Sequence, residues 1–516
     1  MRHFEEEVAV PSLNRQTLSS VAQNVEISAA NDLPVKRILQ IGDGNFLRAF
    51  VEWMVDVANG AGKFNGRVTI AAPLAVGCTD KINAQDGLYT VVMRGLQQGK
   101  QVNTRRLITC VDGGINPYSD WDAFLAVAAD PTLRFVVSNT TEAGIAYAEE
   151  SLESGKCPNN FPAKVTALLY HRFIQLGGTA ATGLVFLPCE LIEANGSNLR
   201  RYVLQHAAAW GLPSEFVQWV ERDNVFLNTL VDRIVPGFPA SEADALYAEL
   251  GYTDPLMVAA EPFHVWVIEG PKDRLQALSA EFPLTQAGLD VVWTDDLRPY
   301  RTRKVRILNG AHTASALAAY SAGVDTVKGM IDDEVVSKYL DKLMFEEIVP
   351  FVPLPDAERK QYATTIMERF ANPFIRHELI SIALNSVSKW QVRVLPTVKD
   401  FAAARGIAPA CLGFSLAALL NFYHGQFSEG GAYSGDRDGQ TYPIKDNAEV
   451  LDVLAAAWRD WQPGQPTAAL VKSVLADARL WGEDLNAITG LTAVVTQELD
   501  NIKAKGVKAA MRELAV

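Results

Sequence analysis

The chain reads as an α/β protein in two parts, a Rossmann-like N-terminal domain on a mainly parallel sheet followed by an all-helical C-terminal domain. Three observations predict this. Short apolar, β-branched runs at VKRILQIG (35–42), RVTIAA (67–72), YTVVM (89–93), RFVVSN (134–139) and GLVFLPCE (183–190) are separated in several places by amphipathic stretches such as DWDAFLAVAA and KVTALLYHRFIQL. Strands alternating with helices give a parallel sheet covered on both faces. From Asp295 onward, segments such as DEVVSKYLDKLMFEEIVPFV, AEVLDVLAAAWRDW and LVKSVLADARLW keep helical spacing with few strand-like runs. Finally, 516 residues at 48% hydrophobic and 21% charged are enough for more than one large core. The expected division is an α/β domain over 1–292, with a second layer around 225–270, and a helical domain over 293–516. No fixed-period repeat interrupts either part.

Charge and cysteine usage exclude several functions. A formal charge of -13 repels phosphate backbones and anionic lipid, so neither nucleic acid nor a membrane is expected as a partner. The five cysteines, Cys78, Cys110, Cys157, Cys189 and Cys411, are scattered and lack CxxC spacing, which argues against a disulfide framework or zinc ribbon and fits a reducing cytoplasm. The opening MRHFEEEVAVPSLNRQ has no apolar core, so no secretory signal is expected. Even FAAARGIAPACLGFSLAALLNFY (401–423) is broken by Arg405, Gly406 and Pro409, so it reads as buried helix rather than a membrane span.

The first strand runs into Ile41-Gly42-Asp43-Gly44-Asn45-Phe46-Leu47-Arg48. Glycines between a strand and a helix leave backbone N–H groups bare for a pyrophosphate, with Arg48 one turn into the helix as a further cation. The same residues also read as a tight turn without a ligand. Leu47 replaces the third glycine of the full fingerprint, and the nearest acid after RVTIAA is Asp80.

The chemical constellation lies in PYRTRKVRILNGAH, 299–312, with Asp296 near its start and Pro299 suited to a first helical turn. At about 100° per residue, Asn309 falls about 140° and His312 about 80° from Lys304, on one broad face. Arg301, Arg303 and Arg306 crowd the same stretch, and like-charge repulsion is expected to depress the Lys304 amine. Such a lysine serves as an acid or base for a hydroxyl proton, with Asn and His holding the oxygen. Spacing alone favours a solvated cationic face whose Asn and His satisfy local backbone groups. Seven scattered histidines and no HExxH or Cys/His cluster favour side chains over a metal.

Together these stretches resemble the polyol-specific long-chain dehydrogenase/reductase family, which includes mannitol dehydrogenases and uronate reductases, from about Ile38 over nearly the whole chain. IGDGNFLRA corresponds to its opening GxGxFxRA and SNTTEAG (138–144) to its TxTEG segment. VDRIVP (231–236) and EPFHVWV (261–267) correspond to its VDRITP and EPFxxW blocks, and Lys304, Asn309 and His312 to its Kx4Nx2H, followed by SKW (388–390). The resemblance implies NAD as cofactor, near Ile41–Phe46, Arg48, Asn139, Thr140 and Glu142. It implies Lys304 as the general acid/base of a metal-free hydride transfer, with Asn309 and His312 on the reacting oxygen. A monomer or dimer acting on a small molecule is expected.

Within the family, LPCELIEANGSNLR, FLNTLVDRIVPGFP and NPFIRHELISIALNSVSKWQVRVLP look most like the uronate-reducing branch, which implies a hexuronate substrate. Where mannitol dehydrogenases carry an oxyanion-holding Asn, this chain has Leu191, with Glu190 and Asn195 as open alternatives. Arg301 stands where the family has a proton-relaying glutamate. An anionic substrate calls for a cation, sought among Arg301, Arg376, Lys389 and Arg393, with Asp232 and Arg233 as further substrate contacts or a mutual pair. A sister polyol or fructuronate enzyme and a catalytically silent NAD-binding sensor are the competing readings.

Overall fold

The computed structural model describes residues 10–28 and 35–515, so most of the opening stretch read above for a secretory signal lies outside the described residues. Two compact units emerge, Met1–Gly95 with Gln101–Leu297, and Leu96–Lys100 with Arg298–Val516.

The first unit is organised by six parallel strands: β1 (Lys36–Ile41), β2 (Arg67–Ala71), β3 (Val111–Ile115), β4 (Phe135–Ser138), β5 (Val185–Pro188) and β6 (Val225–Phe226). They stand in the order β3-β2-β1-β4-β5-β6. Winding therefore reverses between β1 and β4, the place where doubly wound folds open a crevice at the carboxyl ends of the strands. Strand residues alternate between two buried clusters. Ile38, Phe135, Val137, Val185 and Leu187 face one, and Leu39, Ile41, Val136 and Phe186 the other. Burial on both faces explains why these strands read as continuous apolar runs.

Four of the five expected strand runs supply β1, β2, β4 and β5, but YTVVM does not join this sheet. It belongs to Tyr89–Gln97, in a four-stranded sheet with Val25–Ile27, Lys100–Ile108 and Val258–Ala260. Tyr89 and Val91 enter one core while Leu88 and Val92 enter another, so its composition matches that of a main-sheet strand. A three-stranded sheet of Asn228–Asp232, Val265–Glu269 and Val291–Thr294 forms the further layer.

The second unit is helix-rich, with one departure from the all-helical expectation. Gly425–Phe427, Tyr433–Arg437 and Gln440–Pro443 form a small antiparallel sheet. Arg437 pairs with Gln440 across Asp438 and Gly439, whose φ angles are 54° and 82°. Asp-Gly with both φ positive is the two-residue turn that matches strand twist, and the RDGQ stretch carried that signal.

Asn195 corrects another expectation. It opens the helix Asn195–Ala209 and is 1% exposed. Its amide nitrogen donates to the carbonyls of Pro188, Glu190 and Thr229 at 2.9–3.1 Å, and its oxygen accepts from the N–H groups of Gly196 and Thr229 at 2.9 Å. The side chain rivets β5 to the next sheet, leaving nothing for a substrate. A Cβ on Gly196 would stand 2.1 Å from the Leu227 carbonyl oxygen, so only glycine allows that approach. Asn195→Ala leaves several backbone groups buried and unsatisfied, and should destabilise the protein by about 2–4 kcal/mol. Urea denaturation checks this, with Leu191→Ala as the control: Leu191 is 59% exposed, and its truncation should change stability by less than about 0.5 kcal/mol.

Candidate active site

In the first unit, the crevice end of β1 is a glycine turn. Ile41 is buried, and Gly42 follows with φ 136°, a conformation that L side chains rarely adopt. A Cβ there would lie 3.0 Å from the Asn139 carbonyl oxygen and 3.1 Å from Leu47 Cδ1. Gly42 N–H bonds to the Ala71 carbonyl and Asn139 N–H to the Ile41 carbonyl, tying together the ends of β2, β1 and β4. Gly44 and Asn45 are exposed at the start of a continuous helical stretch ending at Gly60, with Phe46 half-buried. Gly44 caps that helix without a side-chain acceptor, so its first amides are open to an anion.

Asp43 faces away from this opening, its carboxylate accepting from Cys78 N–H in the loop after β2. Arg48 also departs from expectation. It is 5% exposed, and its guanidinium bonds to the Leu256 carbonyl and to Asn45 Oδ1, so it is a buried tether rather than a cation of the anion site.

The β4 end is braced from beneath. Glu190, 1% exposed, accepts from Thr140 N–H and Oγ1 at 2.9 Å and from Ser138 Oγ at 3.1 Å. Burial raises its carboxyl pKa against the pull of the Thr140 bonds. Glu190 therefore shapes the Ser138–Thr140 turn and is not a substrate contact. Glu142 is exposed beyond the turn, and Asn139 is half-buried on it.

Arg233 is likewise structural. It lies 4.3 Å over the Trp53 ring, and its guanidinium donates to the carbonyls of Glu261 and Ala49. Glu261 in turn accepts from Ile234 N–H. The VDRIVP and EPFHVWV blocks thus clamp each other, with burial and Arg233 holding His264 neutral, its pKa pushed down to about 4. Asp232, beside them, is 8% exposed.

In the second unit Lys304, Asn309 and His312 lie on one unbroken helical stretch, Arg298–Arg303, Lys304–Gly310 and Ala311–Ser321. Its middle segment is a π-helical turn, a form found often at functional sites. Hydrogen bonds from i to i+5 stack residues five apart, so Asn309 lies nearer to Lys304 than the ordinary helical angle predicts. All three are half-buried.

His312 stacks on Phe370 with centroids 4.2 Å apart and planes at 8°, and meets His377 edge-on at 5.5 Å, which fixes its ring plane. Two of the three crowding arginines are neutralised. Arg303 pairs with Glu358 at 2.9 Å and Arg306 with Asp400 at 2.5 Å. The repulsion expected to act on Lys304 is therefore reduced.

The helix Ser386–Arg393 packs beside this face. A Cβ on Gly310 would stand 3.1 Å from the Arg393 carbonyl oxygen, so a glycine at this point admits the neighbouring backbone. Arg393 reaches Thr313 Oγ1 at 3.4 Å, and Lys389 donates to the Ile382 carbonyl at 3.0 Å. Burial lowers both pKa values, and for Lys389 the Arg393 charge adds to the effect against Asp446. Among the described residues neither forms an ion pair with a carboxylate. Arg376, by contrast, is an exposed partner of Glu378.

Phe370 and His377 were not singled out from the sequence, because a ring support far along the chain leaves no local spacing. Among the described residues no group of three or more His, Cys, Asp or Glu side chains gathers as a metal site.

Residues 36–280 match the mannitol dehydrogenase Rossmann domain and residues 296–503 the mannitol dehydrogenase C-terminal domain. The chain is 45% identical over 477 residues to an altronate oxidoreductase of Yersinia enterocolitica, covering 92% of this chain and 96% of that one. It is 43% identical over 484 residues to an altronate oxidoreductase of Halalkalibacterium halodurans, covering 93% of each. Among solved structures, a substrate-free D-sorbitol dehydrogenase superposes with a TM-score of 0.77 at 24% identity, covering 97% of this chain and 100% of that one. A Pseudomonas fluorescens mannitol 2-dehydrogenase in ternary complex with NAD and D-mannitol gives 0.65 at 22%, covering 98% and 99%. These two likenesses bear on the fold alone. With both family domains matched in order and relatives above 40% identity along nearly its full length, this chain is a member of the mannitol dehydrogenase family.

Proposed function

We propose that this chain reduces D-tagaturonate to D-altronate with NADH, reversibly. The observation that carries the proposal is a pair of half-buried cations, Lys389 and Arg393, without a carboxylate partner among the described residues, beside the helix that bears Lys304, Asn309 and His312. Burying uncompensated charge is unfavourable unless a ligand supplies the counter-charge. A uronate carboxylate does so, and a neutral polyol does not. The relatives named altronate oxidoreductase support the same substrate class.

The Gly42 cradle and the uncapped amides of Gly44 and Asn45 fit a dinucleotide, with Gly42–Phe46 holding its pyrophosphate. The loop after β2, Ala72-Pro-Leu-Ala-Val-Gly-Cys78, has no Lys or Arg to pair with a 2′-phosphate and is stapled to the Asp43 carboxylate. This favours NAD over NADP. When bound, the nicotinamide supplies the hydride.

The chain's own residues handle the oxygen. Asn309 and His312 donate to the carbonyl oxygen as charge develops on it, and the Lys304 ammonium gives it a proton to complete the alcohol. In the oxidative direction the Lys304 amine takes that proton back. Arg393, with Lys389, holds the carboxylate and fixes which ketone carbon is presented.

Assays with tagaturonate, fructuronate, mannitol and fructose, each with NADH or NAD and with the phosphorylated cofactors, test the proposal directly. Tagaturonate with NADH should dominate, and equal turnover of the neutral sugars would sink it. Lys304→Ala should lower kcat by about 10²–10⁴-fold while leaving NADH affinity, measured by fluorescence, unchanged. Arg393→Met should raise the uronate KM by about 10–100-fold, the worth of one charge-assisted contact, with a smaller effect on kcat. Incubation with a chelator should leave turnover unaltered, because the proton donor is an amine and not metal-bound water.

A further inference from the structure

Beneath the Gly42 turn lies a buried polar cluster that the mechanism above does not use. Glu52 ends the π-helical turn Arg48–Glu52 and has no exposed surface. Its Oε1 accepts from Gln40 Nε2 at 2.6 Å, and the same amide donates to the Gly42 carbonyl at 2.8 Å. On its other side, Tyr89 Oη stands 2.5 Å from Glu52 Oε2 and 2.8 Å from the Arg48 carbonyl oxygen.

A phenol has one hydrogen to donate. Its hydrogen is shared between the Glu52 carboxyl and the Arg48 carbonyl. Among the described residues no cation forms an ion pair with Glu52, so an ionised carboxylate there would be buried without a counter-charge, which favours the carboxylic acid. Burial acts in the same sense, pushing its carboxyl pKa up to about 7 against the opposing pull of Tyr89, Arg48 and Gln40, with Asp43 adding to the rise. The other groups facing it are Tyr89 and Cys110, both held protonated by burial, and Cys78 near Asp43. Cys110 Sγ contacts the Glu52 carbonyl.

We propose that Glu52 is a positioning residue for the dinucleotide, whose proton is linked to cofactor binding. Protonated, it orients Gln40 and through it the Gly42 carbonyl. Deprotonated, it places a negative charge under the turn that receives the pyrophosphate. The inference rests on the nicotinamide reading of that turn. By linkage, the proton raises cofactor affinity by the same factor as the cofactor raises proton affinity.

Calorimetric titration of the full chain with NADH, in buffers of different ionisation enthalpy between about pH 6 and pH 9, tests this without turnover. In the wild type the dissociation constant should rise about tenfold across that range, the equivalent of one pKa unit, with net proton uptake on binding at about pH 8. Glu52→Gln, neutral at every pH and able to donate to Tyr89, should bind NADH as the wild type does at the acid end, with a flat profile and no uptake. Tyr89→Phe removes a group that favours the ionised carboxyl and should move the uptake midpoint to higher pH, which keeps the test open if Glu52→Gln fails to fold. NADH binding with a flat profile and no uptake in the wild type overturns the role of Glu52 and leaves the cofactor site intact. Unaltered uptake in a folded Glu52→Gln, or an unmoved midpoint in Tyr89→Phe, also overturns it. No NADH binding at any pH overturns both.

Discussion

The first unit depends on how closely the carboxyl ends of β1 and β4 approach each other at Gly42. With φ at 136° and the Asn139 carbonyl 3.0 Å from where a Cβ would sit, the turn has no room for a side chain. In the proposed cofactor site, that clearance would let backbone amides, rather than side chains, face the pyrophosphate. Much around it serves to hold the geometry. Gln40 grips the Gly42 carbonyl from below, Glu190 gathers Ser138 and Thr140, Asn195 locks β5 to Thr229, and Arg48 ties the helix to Leu256. An anion site made of fixed dipoles needs this support, because its advantage over water lies in not having to reorganise when the ligand arrives.

The second unit solves a different problem, presenting cations without letting them repel one another out of place. Arg303 and Arg306 are paired with Glu358 and Asp400, so the helix carries four basic residues within 301–306 without a concentrated positive field. Lys389 and Arg393 are treated otherwise, with desolvation destabilising their charged forms and no ion pair to a carboxylate among the described residues. The π-helical turn between Lys304 and Gly310 brings an amine and an amide five residues apart into register. A regular α-helix would have splayed them.

Much of the fold was legible because its signals are local. Four β runs, the strand-glycine-helix junction and the helical periodicity after Asp295 each depend on neighbours in sequence. What was missed depends on distant packing. Tyr89–Gln97 carries the composition of a main-sheet strand, yet its two faces are claimed by different cores. The small sheet at 425–443 did announce itself through Asp438-Gly439, a hairpin signal hidden among helical segments. The 100° rule placed Lys304, Asn309 and His312 on one face but could not foresee a π turn, which no residue in KVRILNG dictates.

Spacing shows that a polar residue belongs to a motif without showing where its hydrogen bonds go, and the motif arginines and carboxylates make the difference plain. Arg48, Arg233, Glu190 and Asn195 all occupy motif blocks, and all are buried with polar atoms bound to backbone or side-chain groups of the scaffold. A group so engaged cannot also bind a ligand without leaving those partners unsatisfied, at about 1–3 kcal/mol each. Among the described residues Arg393 makes one long contact to Thr313 at 3.4 Å, and Lys389 one bond to a carbonyl, though an ammonium carries three hydrogens and a guanidinium five. Counting donors against partners therefore separates Arg48 and Arg233, which hold the scaffold, from Arg393 and Lys389, which keep most of their donors uncommitted among the described residues.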